Sequence, residues 1–412
     1  MNLVQVIDES IAIGQPLPFS LRDQNGTLLA RKGYVLVSRD DLEAVRGRGN
    51  GFYVDVSESE QHQKAFVGKL HELVRDDRPL GKIAEATLTT GDLAAPPRNR
   101  TLGDELDWLD LQVQGNRLLR DMADAHFTDE LDRLHTRLIQ QTQRNPDGAL
   151  FALFHLAASE IQLYSATHSM LVSVMCALAA RDVLGWPLPL VDSVCKAALT
   201  MNISMTELQD RLATQNEPPT HAQRELIDEH PGRSQAMLIG LGMQDALCLE
   251  AVRSHHASGP GTLSGRSVGQ RLARLLQRAD KFAAHLSPRS SRRPDSASAA
   301  MQAVYFDEQR AIDEAGAALI KAVGVYSPGS LVRLANLETG VVVRRGANTT
   351  MPRVAILINR DGIPTGEHPV RDTSQREFRI TSSVAAGDCK VKIQLDRMLA
   401  LTGGPSASYR PW

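Results

Sequence analysis

Between Leu102 and Leu286 apolar residues recur at intervals of three and four, and this repeat constrains the fold more than any other feature of the chain. Leu102, Leu106, Leu109 and Val113 form one row with acids between them. Leu118 and Met122 form a pair four apart, and Leu131, Leu134 and Leu138 continue the trend. The stretch therefore reads as helical almost throughout, without an internal repeat. Its most apolar part, Met170 to Ala180, is eleven residues long and ends at Arg181-Asp182, too short to span a bilayer.

The period changes at both ends. From about Pro16 to Val56 the chain reads as a small β-rich module. Phe19-Ser20-Leu21 runs into Asn25-Gly26, a two-residue hairpin signal, and Thr27-Leu28-Leu29 returns; a short helix from Arg39 to Val45 and a strand from Phe52 to Val56 follow. Gly91, Pro96 and Pro97 mark a linker. After Tyr326, strands are expected at Ser330 to Leu334, Val341 to Val343, Val354 to Ile358, Phe378 to Ile380 and Val391 to Leu395. The expected organisation is a β-rich regulatory module over 1–86, a linker over 87–101, a helical domain over 102–325 and a β-rich extension over 326–412.

The bulk numbers exclude several classes. At 412 residues the chain is long enough for two or three domains, and a net charge of -2 gives no global field for nucleic acid or anionic lipid. Aromatic residues are 4%, too few for a base-stacking platform, so no DNA partner is expected. Cys176, Cys195, Cys248 and Cys389 form no paired motif and read as reduced thiols. The N-terminus lacks a basic region followed by an apolar run, so a cytoplasmic location is expected.

The chemistry lies between His168 and Asp280. His168 shares a helical face with Ile161, Tyr164, Leu171, Met175 and Leu178; alone, such a histidine reads as a core residue. His230 precedes Pro231, which suits the first turn of a helix. His255-His256 ends a helix carrying Leu249 and Val252. Asp280 sits at the edge of a face formed by Val268, Leu272, Leu275, Ala279 and Phe282, where a carboxylate is costly to bury without a partner. Four histidines and an aspartate on successive helices suit Fe, Mn or Zn in hydrolytic sites.

The order His168, His230-Pro231, His255-His256, Ala279-Asp280 resembles the HD-GYP family of cyclic-di-GMP phosphodiesterases. The flanks do so too: Tyr164 to Ser169, Ser287-Pro288-Arg289, and Tyr326 to Leu334. The resemblance runs from about Asn145 to Leu337. It implies a mainly α fold, an HD-type helical bundle with its ligands facing a central cavity, here with a small N-terminal β-rich module and a short β-rich C-terminal tail.

The departures bear on function. The family carries a His-Asp pair and then Gly-Lys between its first and second ligand histidines; the matching stretch here is Met201-Asn202-Ile203-Ser204-Met205. The Gly-Tyr-Pro loop is also missing, and after His255-His256 the chain reads Ala257-Ser258-Gly259-Pro260-Gly261-Thr262-Leu263. In the family the aspartate bridges two cations and offsets their repulsion. Asn202 offers only a neutral amide, Met201 a thioether that suits hard cations poorly, and Met205 no charge. Val194, Ala198, Met201 and Met205 fall on one helical face, so the thioethers are expected to fill the space of the cations.

The resemblance and its departures together predict a bacterial signalling protein with a degenerate, non-catalytic HD-GYP domain. It would act through partners such as a diguanylate cyclase or other signalling protein, or through cyclic-di-GMP binding. No catalytic residue is expected, and no cofactor is required; His168, His230, His255, His256 and Asp280 are the set for one residual divalent metal (Fe, Mn or Zn). The alternative is an active metal-dependent phosphodiester hydrolase with that reduced site. Arg266, Arg271, Arg274, Arg278, Lys281, Arg289, Arg292 and Arg293 form a basic stretch. Within it Arg289, Arg292 and Arg293 are the candidates for phosphate contact, against the plainer reading of a solvated helix face and loop. Gly240-Leu241-Gly242 lacks the rest of a nucleotide fingerprint.

Overall fold

The structure of the chain, a computed structural model, describes residues 3–55 with short gaps, 108–121, 126–159, 163–287, 297–385 and 388–403. The expected linker over 87–101, Leu102, Leu106, Met122, Ile161, and Arg289, Arg292 and Arg293 lie outside the described residues. The chain falls into two compact units, Met1–Glu105 and Leu106–Trp412.

The first unit holds β1 (Leu3–Val6), β2 (Leu21–Arg22), β3 (Leu28–Ala30), α1 (Arg39–Arg46) and β4 (Phe52–Asp55). Its antiparallel sheet has the order β1-β4-β2-β3. The hairpin turns where expected: Gly26 adopts φ 88°, which its missing Cβ permits, and the Asn25 amide donates to Asp23 Oδ1 at 2.8 Å. β1 lies ahead of Pro16 to Val56, the stretch in which the strands were expected. It pairs with β4, and Val4, Val6, Phe19, Leu21, Leu36, Phe52 and Val54 form the core.

The second unit begins with α2 (Trp108–Arg120), α3 (Phe127–Arg144), α4 (Pro146–Ser159) and α5 (Tyr164–Leu178). Leu109 and Val113 face outward on α2; the buried stripe is Trp108, Leu111, Gly115, Leu118 and Leu119, displaced around the helix from the row seen in the sequence. Leu131, Leu134 and Leu138 are buried on α3 as expected. Every residue of α5 is buried, which makes it the central helix, and it ends in a π turn at Ala179–Val183. Then come α6 (Leu188–Thr200), a 3-10 turn (Ile203–Met205), α7 (Thr206–Thr214), α8 (His221–Gly240), α9 (Ala246–Ser254) and α10 (Val268–Leu286). Ser267 opens α10 with a capping box to Gln270. α11 (Ala297–Tyr305) and α12 (Glu314–Val323) complete the bundle. Among the described residues, no helix is long and apolar enough to cross a membrane.

Two expectations about these helices are corrected. Met201 and Met205 do not continue one helical face, because α6 stops at Thr200 and Met205 belongs to the 3-10 turn; Met201 joins the main apolar core and Met205 is half-buried. His230-Pro231 is not a first turn but lies inside the 20-residue α8, whose start is set by the Thr220–Gln223 capping box ten residues earlier.

The tail forms a five-stranded antiparallel sheet, β8-β7-β6-β5-β9, from β5 (Leu331–Leu334), β6 (Thr339–Arg344), β7 (Arg353–Ile358), β8 (Val370–Asp372) and β9 (Ile380–Ser383). Phe378 closes a short 3-10 turn, and β9 starts at Ile380, opposite Leu334. Val391 to Leu395 is not a strand: the chain there is irregular and enters α13 (Leu395–Thr402), which lays Met398 on the sheet. One sheet face packs Val341, Val343, Ala355 and Leu357 against Phe151 of α4.

Candidate functional site

The five candidate ligands sit on four helices or their ends and come together as two sub-groups. Asp280 on α10 accepts a hydrogen bond from His168 Nε2 on α5 at 2.7 Å. His168 is 2% exposed and its ring stacks on Tyr164 one turn earlier, with centroids 5.6 Å apart. A carboxylate can only accept here, so His168 carries its proton on Nε2, and its buried Nδ1 has no hydrogen-bond partner. Burial favours the neutral acid at Asp280, but the His168 bond and the nearby imidazoles outweigh it and hold the carboxyl well below the usual range.

The other sub-group is His230, His255 and His256, each offering a ligand atom within 4.8 Å of the others'. His230 and His255 are buried and His256 is exposed. Local sequence fixes how the two buried rings point. Pro231 has no N–H, so the Ile227 carbonyl four residues back lacks its helical donor, and His230 Nδ1 donates to it instead. His255 follows the last turn of α9, where carbonyls are unpaired, and its Nδ1 donates to the Val252 carbonyl at 2.7 Å. With both Nδ1 atoms protonated, both Nε2 atoms carry lone pairs, and they face each other at 3.1 Å.

A proton is a poor solution to that opposition. Burial pushes His255 down to about 3, with His256 acting in the same direction. His230 is lowered as well, chiefly by burial. A divalent cation suits it better: two imidazole nitrogens about 2.1 Å from one ion lie roughly 3.0–3.4 Å apart at ordinary angles. The His230–His255–His256 set therefore fits a metal. The His168–Asp280 pair offers only two groups, hydrogen-bonded to each other, with the His168 Nδ1 left without a partner.

Around the site, the 3-10 turn is sewn to α8: Ser204 Oγ donates to the His230 carbonyl at 3.1 Å and lies 2.9 Å from Ser234 Oγ. Asn202 heads this turn without capping it through its side chain. Ser204 and Ser234 were not singled out in the sequence, and nothing in their spacing marks them. The basic stretch divides sharply. Arg274 and Arg278 are 3% and 2% exposed and pair with Asp313 and Glu308, so they line neither a solvated face nor a phosphate site. Burial pushes the thiols of Cys195 and Cys248 up to about 12, in keeping with inert, reduced cysteines.

No family model matches the chain. It is 28% identical over 257 residues to the cyclic di-GMP phosphodiesterase PA4108 of Pseudomonas aeruginosa, a match that covers 60% of this chain. The chain spans 59% of the length of that curated relative. Among solved structures it is similar to Bd1817, a HDG"Y"P protein from Bdellovibrio bacteriovorus, at a TM-score of 0.37 and 15% identity, covering 73% of this chain and 92% of that one. The chain is thus similar in sequence to a cyclic di-GMP phosphodiesterase, and it carries its four candidate histidines on a helical bundle.

Proposed function

We propose that the chain is a signalling protein of the HD-GYP type that retains a single cation site and has given up two-cation hydrolysis of cyclic-di-GMP. One observation carries the reading: the five candidate ligands split into a His168–Asp280 pair hydrogen-bonded to each other and a converging His230–His255–His256 set. Asn202 and Met201 supply no bridging acid and no imidazole to reopen the first half.

When bound, a cation at the three histidines would supply a Lewis acid for a phosphoryl oxygen. The Ile227 and Val252 carbonyls hold the two buried rings in the tautomer that presents Nε2, and burial keeps both rings neutral. Cyclic-di-GMP binding without cleavage, or contact with a signalling partner such as a diguanylate cyclase, is then the output. The runner-up is a phosphodiesterase working on the reduced site, which the intact histidine set favours.

Elemental analysis of the purified chain, paired with a cyclic-di-GMP cleavage assay in added Mn²⁺ or Fe²⁺, tests the proposal. The expected result is no more than one cation per chain, lost in His255→Ala, and no linear dinucleotide. Two tightly held cations together with cleavage overturn the proposal, and one cation with cleavage selects the runner-up.

A further inference from the structure

Gln277 lies one turn before Asp280 on α10 and is 2% exposed. Its Nε2 donates to the carbonyl of Ala257 at 2.9 Å, the residue directly after His256. Its Oε1 accepts from Arg274 Nη1 at 2.9 Å, which fixes the amide the right way round. Arg274 is itself clamped. It donates through Nε to Asp313 Oδ2 at 2.8 Å, and through Nη1 and Nη2 to Glu308 at 3.1 and 3.0 Å. The second oxygen of Asp313 caps α12 through the Gly316 amide at 2.8 Å. A continuous relay thus runs from the start of α12 to the backbone beside the histidine pair.

That backbone needs an anchor. α9 ends at Ser254, so His255 and His256 stand beyond its last turn. In the loop that follows, Gly259 and Gly261 have φ 146° and 121° with nothing within 4 Å of where a Cβ would stand on either, and Arg266 Nη2 donates to the Gly259 and Pro260 carbonyls at 2.6 and 3.3 Å. Its far end is held by the Leu263 amide donating to Glu314 Oε2 at 2.8 Å. Gln277 is the corresponding peg at the near end.

We propose that Gln277 is the positioning residue for the His255–His256 corner, setting the direction in which the pair presents its ring nitrogens. The proposal rests on the reading that these histidines, with His230, hold a cation. Groups outside the ligand set that orient it commonly change metal affinity by about 10–100-fold when removed.

The test uses the full chain and Gln277→Met, which keeps the side-chain length but cannot donate. Two quantities are measured: Co²⁺ affinity with its visible absorption spectrum, and amide hydrogen exchange across 255–263. The expected result is an affinity lower by about tenfold with an altered spectrum, faster exchange at 255–263, and unchanged exchange in α5. Gln277→Glu, which can still accept from Arg274 but presents no donor, gives the same readings if the methionine variant does not fold. Wild-type exchange at 255–263 in the variant overturns the proposal. So does faster exchange with an unchanged Co²⁺ affinity and spectrum, which would make the peg structural only. If the unmodified chain takes up no Co²⁺, the cation reading fails by itself, and the exchange comparison still decides whether Gln277 holds the corner.

Discussion

Replacing Arg274 by Met tests the energetics of the ion cluster behind the site. Two buried guanidiniums, Arg274 and Arg278, face two carboxylates, Asp313 and Glu308, so the cluster is balanced in charge. Arg274 makes the shortest of these contacts, 2.7 Å to Asp313, while Arg278 approaches the same oxygen at 3.2 Å. Removing Arg274 leaves Asp313, at 4% exposure, with one weaker partner and an excess negative charge. Uncompensated buried charges of this kind cost about 3–5 kcal/mol. For a unit of this size that lowers the midpoint of thermal unfolding by on the order of 10 °C. Adding Asp313→Asn restores the balance, and asparagine still caps α12. The double variant should therefore recover about 1–3 kcal/mol relative to additivity. Calorimetric scans of the two single variants, the double variant and the unmodified chain close the cycle. A loss below about 1 kcal/mol for Arg274→Met, far under the buried-pair range, or strictly additive losses, would refute the argument.

Acid sensitivity and backbone crowding provide further checks. The Arg274 hydrogen bond, working against burial, holds Glu308 down to about 2 from an ordinary value of 4.5. Its folded value is below its unfolded one, so its contribution is complete above about pH 4.5 and fades as pH falls towards 2. Glu308→Gln should flatten stability over that interval, and parallel acid curves would contradict it. A Cβ at Gly316 would stand 1.9 Å from the Val304 carbonyl oxygen, whereas one at Gly269 would meet the Glu250 carboxylate at 2.0 Å. Backbone cannot swing aside and a glutamate can, so Gly316→Ala should cost more than about 2 kcal/mol. Gly269→Ala should stay within about 1 kcal/mol, helped by the better helix propensity of alanine. Equal losses in urea titrations would count against this contrast.

Much of the bundle was legible because helical periodicity is a local property. The rows at Leu131, Leu134 and Leu138 and at Leu272, Leu275 and Ala279 mark real buried faces. Leu109 and Val113 misled because α2 carries a second apolar row, and only packing decides which row is covered. Val391 to Leu395 alternates like a strand, yet its apolar side chains pack beside the sheet without joining a ladder. At the site, residue order marked all five candidates, but order cannot show which of them bond to one another. Arg274 and Arg278 looked like surface charge because their partners, Glu308 and Asp313, lie far along the chain, 34 and 39 residues on in the case of Arg274. Gln277 gave no signal at all, since its role depends on a backbone carbonyl twenty residues away.

Pro231 matters through an atom it does not have. Any residue with an amide hydrogen at this position would compete with the His230 imidazole for the Ile227 oxygen, and that ring could then move its proton to the opposite nitrogen. At 3.1 Å from His255 such a proton would join the two rings into an ordinary donor–acceptor pair, content without any guest. On the single-cation reading proposed above, a defect in the main-chain ladder of one helix is what keeps these imidazoles open to an ion rather than closed on each other.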